Sequence, residues 1–178
     1  MVHKNVGLNM VGSLYLTSGN LNILKIDSMS ETTLQKIIRR TGRKPVECKC
    51  RACKEQCRTP CLGTPDDIMK LIEAGYIDKL LPTGWVVGMM LGKIDHVIPM
   101  VQLKKAENGF CVLYKDGLCL LHELGLKPTE GKLSHHTIKA ENTSFRKLLS
   151  YNVAKEWEDP ANFALIDKIT LLFIMKCL

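Results

Sequence analysis

The chain has 178 residues, 46% of them hydrophobic, enough for one globular domain with its own core. Its 25 Lys and Arg against 18 Asp and Glu leave a formal charge of +7, which invites an acidic partner such as nucleic acid. No apolar run of about 18 residues occurs, so no helix is long enough in apolar residues to span a membrane.

Residues 1–28 form an atypical leader. Their apolar residues are scattered among Gly7, Gly12, Gly19 and several asparagines, a poor signal peptide. Leu14-Tyr15-Leu16 and Ile23-Leu24-Lys25-Ile26 suit an edge hairpin, and the other reading is a native start at Met29. Ser28-Met-Ser-Glu31 fits a capping box. Leu34, Ile37 and Ile38 then predict a helix over Thr33–Arg40, ended by Thr41-Gly42.

Cys48-Lys-Cys50-Arg-Ala-Cys53-Lys-Glu-Gln-Cys57-Arg-Thr-Pro-Cys61 follows, with five cysteines in fourteen residues. Buried as small hydrophobes, they would take Lys49, Arg51, Lys54, Glu55 and Arg58 out of water with them. Disulfides need an oxidising compartment and neighbours here are too close to pair easily, although Cys48 with Cys61 is geometrically open. Thiolates at short spacing suit zinc or iron. Arg39, Arg40, Arg43, Lys44, Lys49, Arg51, Lys54 and Arg58 surround them, and such cations lower thiol pKa values and offset thiolate charge. Much of the basicity therefore serves the cluster, which leaves nucleic-acid binding a minor alternative.

Thr64-Pro65-Asp66-Asp67 joins a capping residue, an N-terminal proline and two carboxylates, and predicts a helix with Ile68, Leu71 and Ile72 buried and Gly75 as its stop. This helix clamps the cluster loop onto the core. Trp85–Leu91 and His96–Val101 read as two strands around a turn at Gly92-Lys93, with Pro99 marking an edge. Trp85, Met89 and Met90 read as core, and His96 as an ordinary histidine. Phe110–Tyr114 is a third strand, turned by Lys115-Asp116-Gly117 into Leu118-Cys119-Leu120, so that Cys111 and Cys119 flank a tight turn. His122 follows Cys119 at ligand spacing, and His135-His136 supply at most one ligand to a given ion. Phe145, Leu148, Leu149, Val153 and Trp157 give Ser144–Trp157 a helical apolar face, with Asn142 or Thr143 as cap. Asp159-Pro160 opens a second helix, whose apolar Ile169–Met175 packs across the domain or meets a partner. Cys177 stands apart as a free thiol.

Together these features resemble the YkgJ-like family of cysteine-cluster proteins, described as a zinc- or iron-chelating domain. Cys50, Cys53 and Cys57 match that family's C-x2-C-x3-C core, Cys111 and Cys119 its later pair, and Lys127-Pro128 its basic-Pro dipeptide. Thr59–Asp67 with Leu121–Gly131 reads like one bacterial branch of it. The resemblance spans about residues 44–137. It departs from the family pattern where Arg58 replaces a doubled third cysteine, where Cys48 and Cys61 are added, and where His135-His136 stand near a missing late cysteine. It implies metal chelation and carries no settled activity. A further resemblance, to the cysteine-cluster part of flagellin lysine methylases, makes a transferase role conceivable.

The expected fold class is α+β: a small, irregular cysteine-rich metal-binding domain with short antiparallel strands and C-terminal helices. Residues 29–137 carry the cluster and residues 138–178 pack as helices on the same domain. Cys48, Cys50, Cys53, Cys57, Cys61, Cys111, Cys119, His122, His135 and His136 are the candidate ligands, enough for one to two ions of zinc or iron. Thiolate chemistry places the chain in the reducing cytoplasm. The alternatives are an iron–sulfur or metal-dependent redox or group-transfer protein, and a zinc-stabilised nucleic-acid module. No glycine-rich cofactor loop, HExxH or nucleophile elbow occurs in the sequence, so no catalytic residue is assigned.

Overall fold

The computed structural model describes residues 31–48, 50–138 and 144–177. The expected leader hairpin, the start of the Ser28–Glu31 box and the Asn142/Thr143 cap lie outside these residues.

Helix α1 (Thr33–Thr41) begins at Thr32, whose hydroxyl accepts from the Gln35 amide at 3.3 Å while the Gln35 carbonyl oxygen accepts from the Thr32 amide at 2.8 Å. This Thr32/Gln35 capping box satisfies two otherwise orphaned donors at the first turn. Gly42 ends the helix at φ +70°, a left-handed cap. Helix α2 (Arg51–Gln56) lies inside the cysteine cluster, and α3 (Pro65–Glu73) starts where the sequence placed it, with Thr64 and Asp67 as a reciprocal capping box.

Strand β1 (Leu80–Trp85) pairs antiparallel with β2 (Ile98–Leu103), Leu80 opposite Leu103 and Trp85 opposite Ile98. The expected strand over Trp85–Leu91 is corrected: Trp85 ends a strand, and Val87–Met90 forms the short helix α4. Gly88 is the reason that helix fits, since a Cβ there would stand 2.6 Å from the Trp85 ring. Met89 and Met90 consequently turn outward, 43% and 77% exposed, rather than into the core. Pro82 and Gly84 are tolerated in β1 because both strands of a two-stranded sheet are edges.

A second small sheet, β3 (Tyr114–Lys115) with β4 (Leu118–Cys119), is closed by Asp116 and Gly117, both at positive φ, the pair a type I′ turn requires. The expected third strand over Phe110–Tyr114 shrinks to its last residue. Helices α5 (Leu120–Glu123) and α6 (Thr129–Leu133) follow. Near the C-terminus, α7 (Leu149–Lys155) covers only the middle of the helix expected over Ser144–Trp157, with single 3-10 turns at either end. The break before it lies at Leu148, which is extended, and the Asn152 amide holds it by donating to the Arg146 and Leu148 carbonyls. Helix α8 (Phe163–Cys177) closes the chain after a turn capped by Asp159.

Ile68, Leu71, Leu80, Ile98, Leu103, Leu113, Leu121 and Ile169 form the centre of the core, between α3, the β1–β2 sheet and α8. A second cluster, Ile37, Leu133, Leu149 and Val153, joins α1, α6 and α7. Each such burial contributes about 2 kcal/mol, against about 0–1 for an exposed ion pair, so apolar packing sets the fold. The buried Glu156 carboxylate is the exception that orients α1: Lys36 reaches it at 2.8 Å and Asp159 at 2.5 Å, with Arg40 at 3.5 Å from Glu156. One face of α8 packs on the core through Ile169, Leu172 and Phe173, while Leu171, Ile174 and Met175 stay exposed. No helix among the described residues is long and apolar enough to cross a membrane.

Candidate metal centre

The cysteines divide into two groups. In the outer group, one donor atom from each of Cys48, Cys53, His135 and His136 lies within 4.8 Å of every other. Segments more than eighty residues apart meet here: the coil over 42–48 and α2 supply the thiols, and the loop after α6 supplies the imidazoles. His136 Nδ1 stands 3.2 Å from Cys53 Sγ and 3.5 Å from Cys50 Sγ. A tetrahedral zinc ion with Zn–S ~2.3 Å and Zn–N ~2.0 Å separates such donors by about 3.5 Å, so these spacings already match the ion. The rings of His135 and His136 are 4.2 Å apart and tilted by 42°, so adjacent histidines do converge on one place, contrary to the expectation of a single ligand. His135 Nδ1 lies 2.6 Å from the Thr137 hydroxyl and accepts from the Thr137 amide at 3.3 Å, which fixes the ring's orientation.

Cys50 lies against this quartet without belonging to it. Its sulfur caps α2 by accepting from the Cys53 amide at 3.5 Å, and it is exposed. That amide, then the Cys48 thiol, holds the Cys50 thiol below its ordinary pKa. Burial raises that of Cys53.

Cys57, Cys61, Cys111 and Cys119 form the inner group. Cys57 and Cys119 share a hydrogen bond that lowers Cys119 to about 7 and, with burial, raises Cys57: the first proton leaves readily because the remaining thiol donates to the thiolate, and the second is held. Burial pushes up Cys61 and Cys111 as well. Cys111 is not opposite Cys119 across the hairpin, where Tyr114 sits; its amide donates instead to the Arg58 carbonyl at 2.6 Å.

Clefts of ≈ 320 and ≈ 340 Å³ run between the two groups, and Cys48, Cys53, Cys57, His122 and Lys127 line both. His122 thus faces the clefts rather than joining the outer quartet. Lys127 places positive charge beside Cys57 and Cys61. The segment expected to be a turn over Lys127–Gly131 is largely the start of α6. Two of its residues have roles that sequence reading did not assign. Glu130 is a cleft-lining carboxylate that accepts from the Leu62 amide at 2.7 Å, its pKa raised by burial. Gly131 lets Cys61 and Lys127 come close, because a Cβ there would lie 2.9 Å from Cys61 Sγ and 2.8 Å from Lys127 Cε. Their one sequence signal is adjacency to Lys127-Pro128. Compared with protein-family models, with curated proteins and with solved structures, the chain matches none.

Proposed function

We propose that this is a metal-binding protein whose outer group, Cys48, Cys53, His135 and His136, holds one zinc ion. The observation that carries this reading is the convergence of two thiols and two imidazoles within 4.8 Å. Two sulfurs and two nitrogens are a complete tetrahedral set, the donor chemistry that zinc takes. The cysteine spacing further supports membership in the YkgJ-like cysteine-cluster family. Protein produced under reducing, metal-replete conditions and analysed for elements should contain zinc. Cys53→Ser should lose most of it and Cys177→Ser should keep it. Full metal content in Cys53→Ser would remove the centre proposed here.

The inner group favours a second reading, an iron–sulfur or second metal site, because four thiols with no imidazole among them suit such a cluster. Anaerobic purification separates the two: a colourless protein with zinc supports the first reading, a brown one with iron and sulfide the second.

A further inference from the structure

Five donors face an ion that takes four. Cys48, Cys53, His135 and His136 form one set, and Cys50, whose Sγ lies 3.5 Å from His136 Nδ1 and beside Cys48 and Cys53, would complete a second in place of His135. The first is Cys2His2 and the second Cys3His, and both hold zinc. Given the metal-binding reading above, we infer that Cys50 is an exchange ligand through which the centre passes its ion to, or takes it from, a thiol-bearing acceptor.

The placement of the donors supports this directionality. Cys48 and Cys53 face the clefts that run between the two groups. Cys50 and His136 line none of the three clefts described around the cluster and are exposed, so an acceptor reaches the ion from their side. Arg51 and Lys54, exposed on α2 beside Cys50, favour an acceptor with acidic surface. The exchange involves no change of oxidation state. Cys50 gives its thiol proton to solvent and its sulfur bonds the ion, while the His135 nitrogen–metal bond breaks and leaves a neutral imidazole. Acceptor thiolates then replace the remaining protein ligands stepwise, each released protein thiolate taking up a proton. The Cys50 bond on the solvent side is the last to break.

Cys50→Ser is a clean test because serine is itself a good helix cap, so the start of α2 is retained while the thiolate is lost. The zinc-loaded full chain is mixed with an apo zinc-ribbon peptide bearing four cysteines, and transfer is followed in time. Cys50→Ser should keep wild-type zinc content and slow transfer about tenfold or more, since the thiolate is the entering ligand. An equilibrium test stands beside it. His135→Gln should bind zinc more weakly than wild type but still measurably, because Cys50 takes the fourth position, and the Cys50→Ser/His135→Gln double variant should lose it. Loss of zinc in Cys50→Ser alone would make Cys50 a resident ligand and overturn the inference. So would wild-type transfer rates, which would leave it a helix cap. A wild-type chain that binds no zinc would instead remove the metal-binding reading itself, a result visible before any transfer is measured.

Discussion

Cys61 and Cys111 are pinned by the protein's own backbone. Leu62, next to Cys61, exchanges hydrogen bonds with Glu130 and bridges to Gln102 of β2, and Gln102 also donates to the Pro60 carbonyl at 2.9 Å. Cys111 is tied to Arg58 on one side and to Lys105 on the other. The outer cysteines have no such framework. Residues 42–48 lack regular secondary structure, α2 is six residues long, and the contacts of Cys50 and Cys53 with His136 join two exposed segments. On the metal-binding reading proposed above, the difference makes the outer group the one that depends on metal: the inner thiols are positioned by folding, whereas the outer donors, on short exposed segments, would be held by an ion that joins them.

The largest expected effect follows from that dependence. A four-ligand zinc site is worth roughly 10 kcal/mol or more at neutral pH, against about 1 for each hydrogen bond in the outer segments. Chelation should therefore strip amide-exchange protection from residues 50–57 and 134–138 while β1 and β2 keep theirs. Equal loss in both regions would erase the distinction between the two groups.

Next in size is the anchor beneath the inner group. Asp67, 6% exposed, accepts from the Thr64 amide and hydroxyl and from the Thr129 amide at 2.8 Å, so it joins the start of α3 to the start of α6. Asp67→Ala leaves buried donors unpaired and should cost about 3 kcal/mol in urea unfolding, with Asp67→Asn costing less. A change near zero would mean that the inner framework draws its stability elsewhere.

The part of this arrangement legible in the sequence is the part with local chemistry. Thr64-Pro65-Asp66-Asp67 announces α3, Asp116-Gly117 announces its turn, and the cysteine spacing announces a cluster that could hold a metal. The seven-residue apolar run from Trp85 has neither strand nor helix period, so α4 was hidden, and Pro82 and Gly84 disguised β1. Ser144–Trp157 has a helical pattern that tertiary hydrogen bonds from Asn152 override at Leu148. The division of the cysteines was not legible at all. It depends on where α6 and the loop after it return, and Cys53 and Cys57, four residues apart, end up in different groups.

Gly131 tests the contact between α6 and the inner thiols more finely. A methyl group there must displace Cys61 or the Lys127 stem, at about 1–2 kcal/mol. Gly131→Ala should lower stability by that amount and leave outer-site zinc content unchanged. Loss of zinc would show that the two groups share an ion.

The smallest effect concerns a site far from either group. His96 contacts Asp95 at 2.7 Å and also Glu158, which Lys155 reaches from α7. Asp95, then Glu158, raises the His96 pKa above its ordinary value. A raised folded-state pKa means that the contribution is fully present below the unfolded value, about 6.5, and is lost as pH rises through the folded one. Its acidic partners bound the window from below. Burial alone would raise Glu158, but Lys155 and His96 outweigh it and the net shift is downward; Asp95 is lowered by His96. Their contribution is present above their unfolded values, about 4, and fades as pH falls through the folded ones. The link should therefore stabilise most between roughly pH 4.5 and 6.5. His96 is half exposed, so water and salt screen it and the effect should be small. Thermal unfolding of wild type and His96→Gln should differ most within that window and coincide near pH 8. Both proteins must give the same pH trend with the metal bound or chelated, because the pair touches neither cysteine group; a trend that appears only in the metal-loaded protein would show that the outer ion organises the core as well.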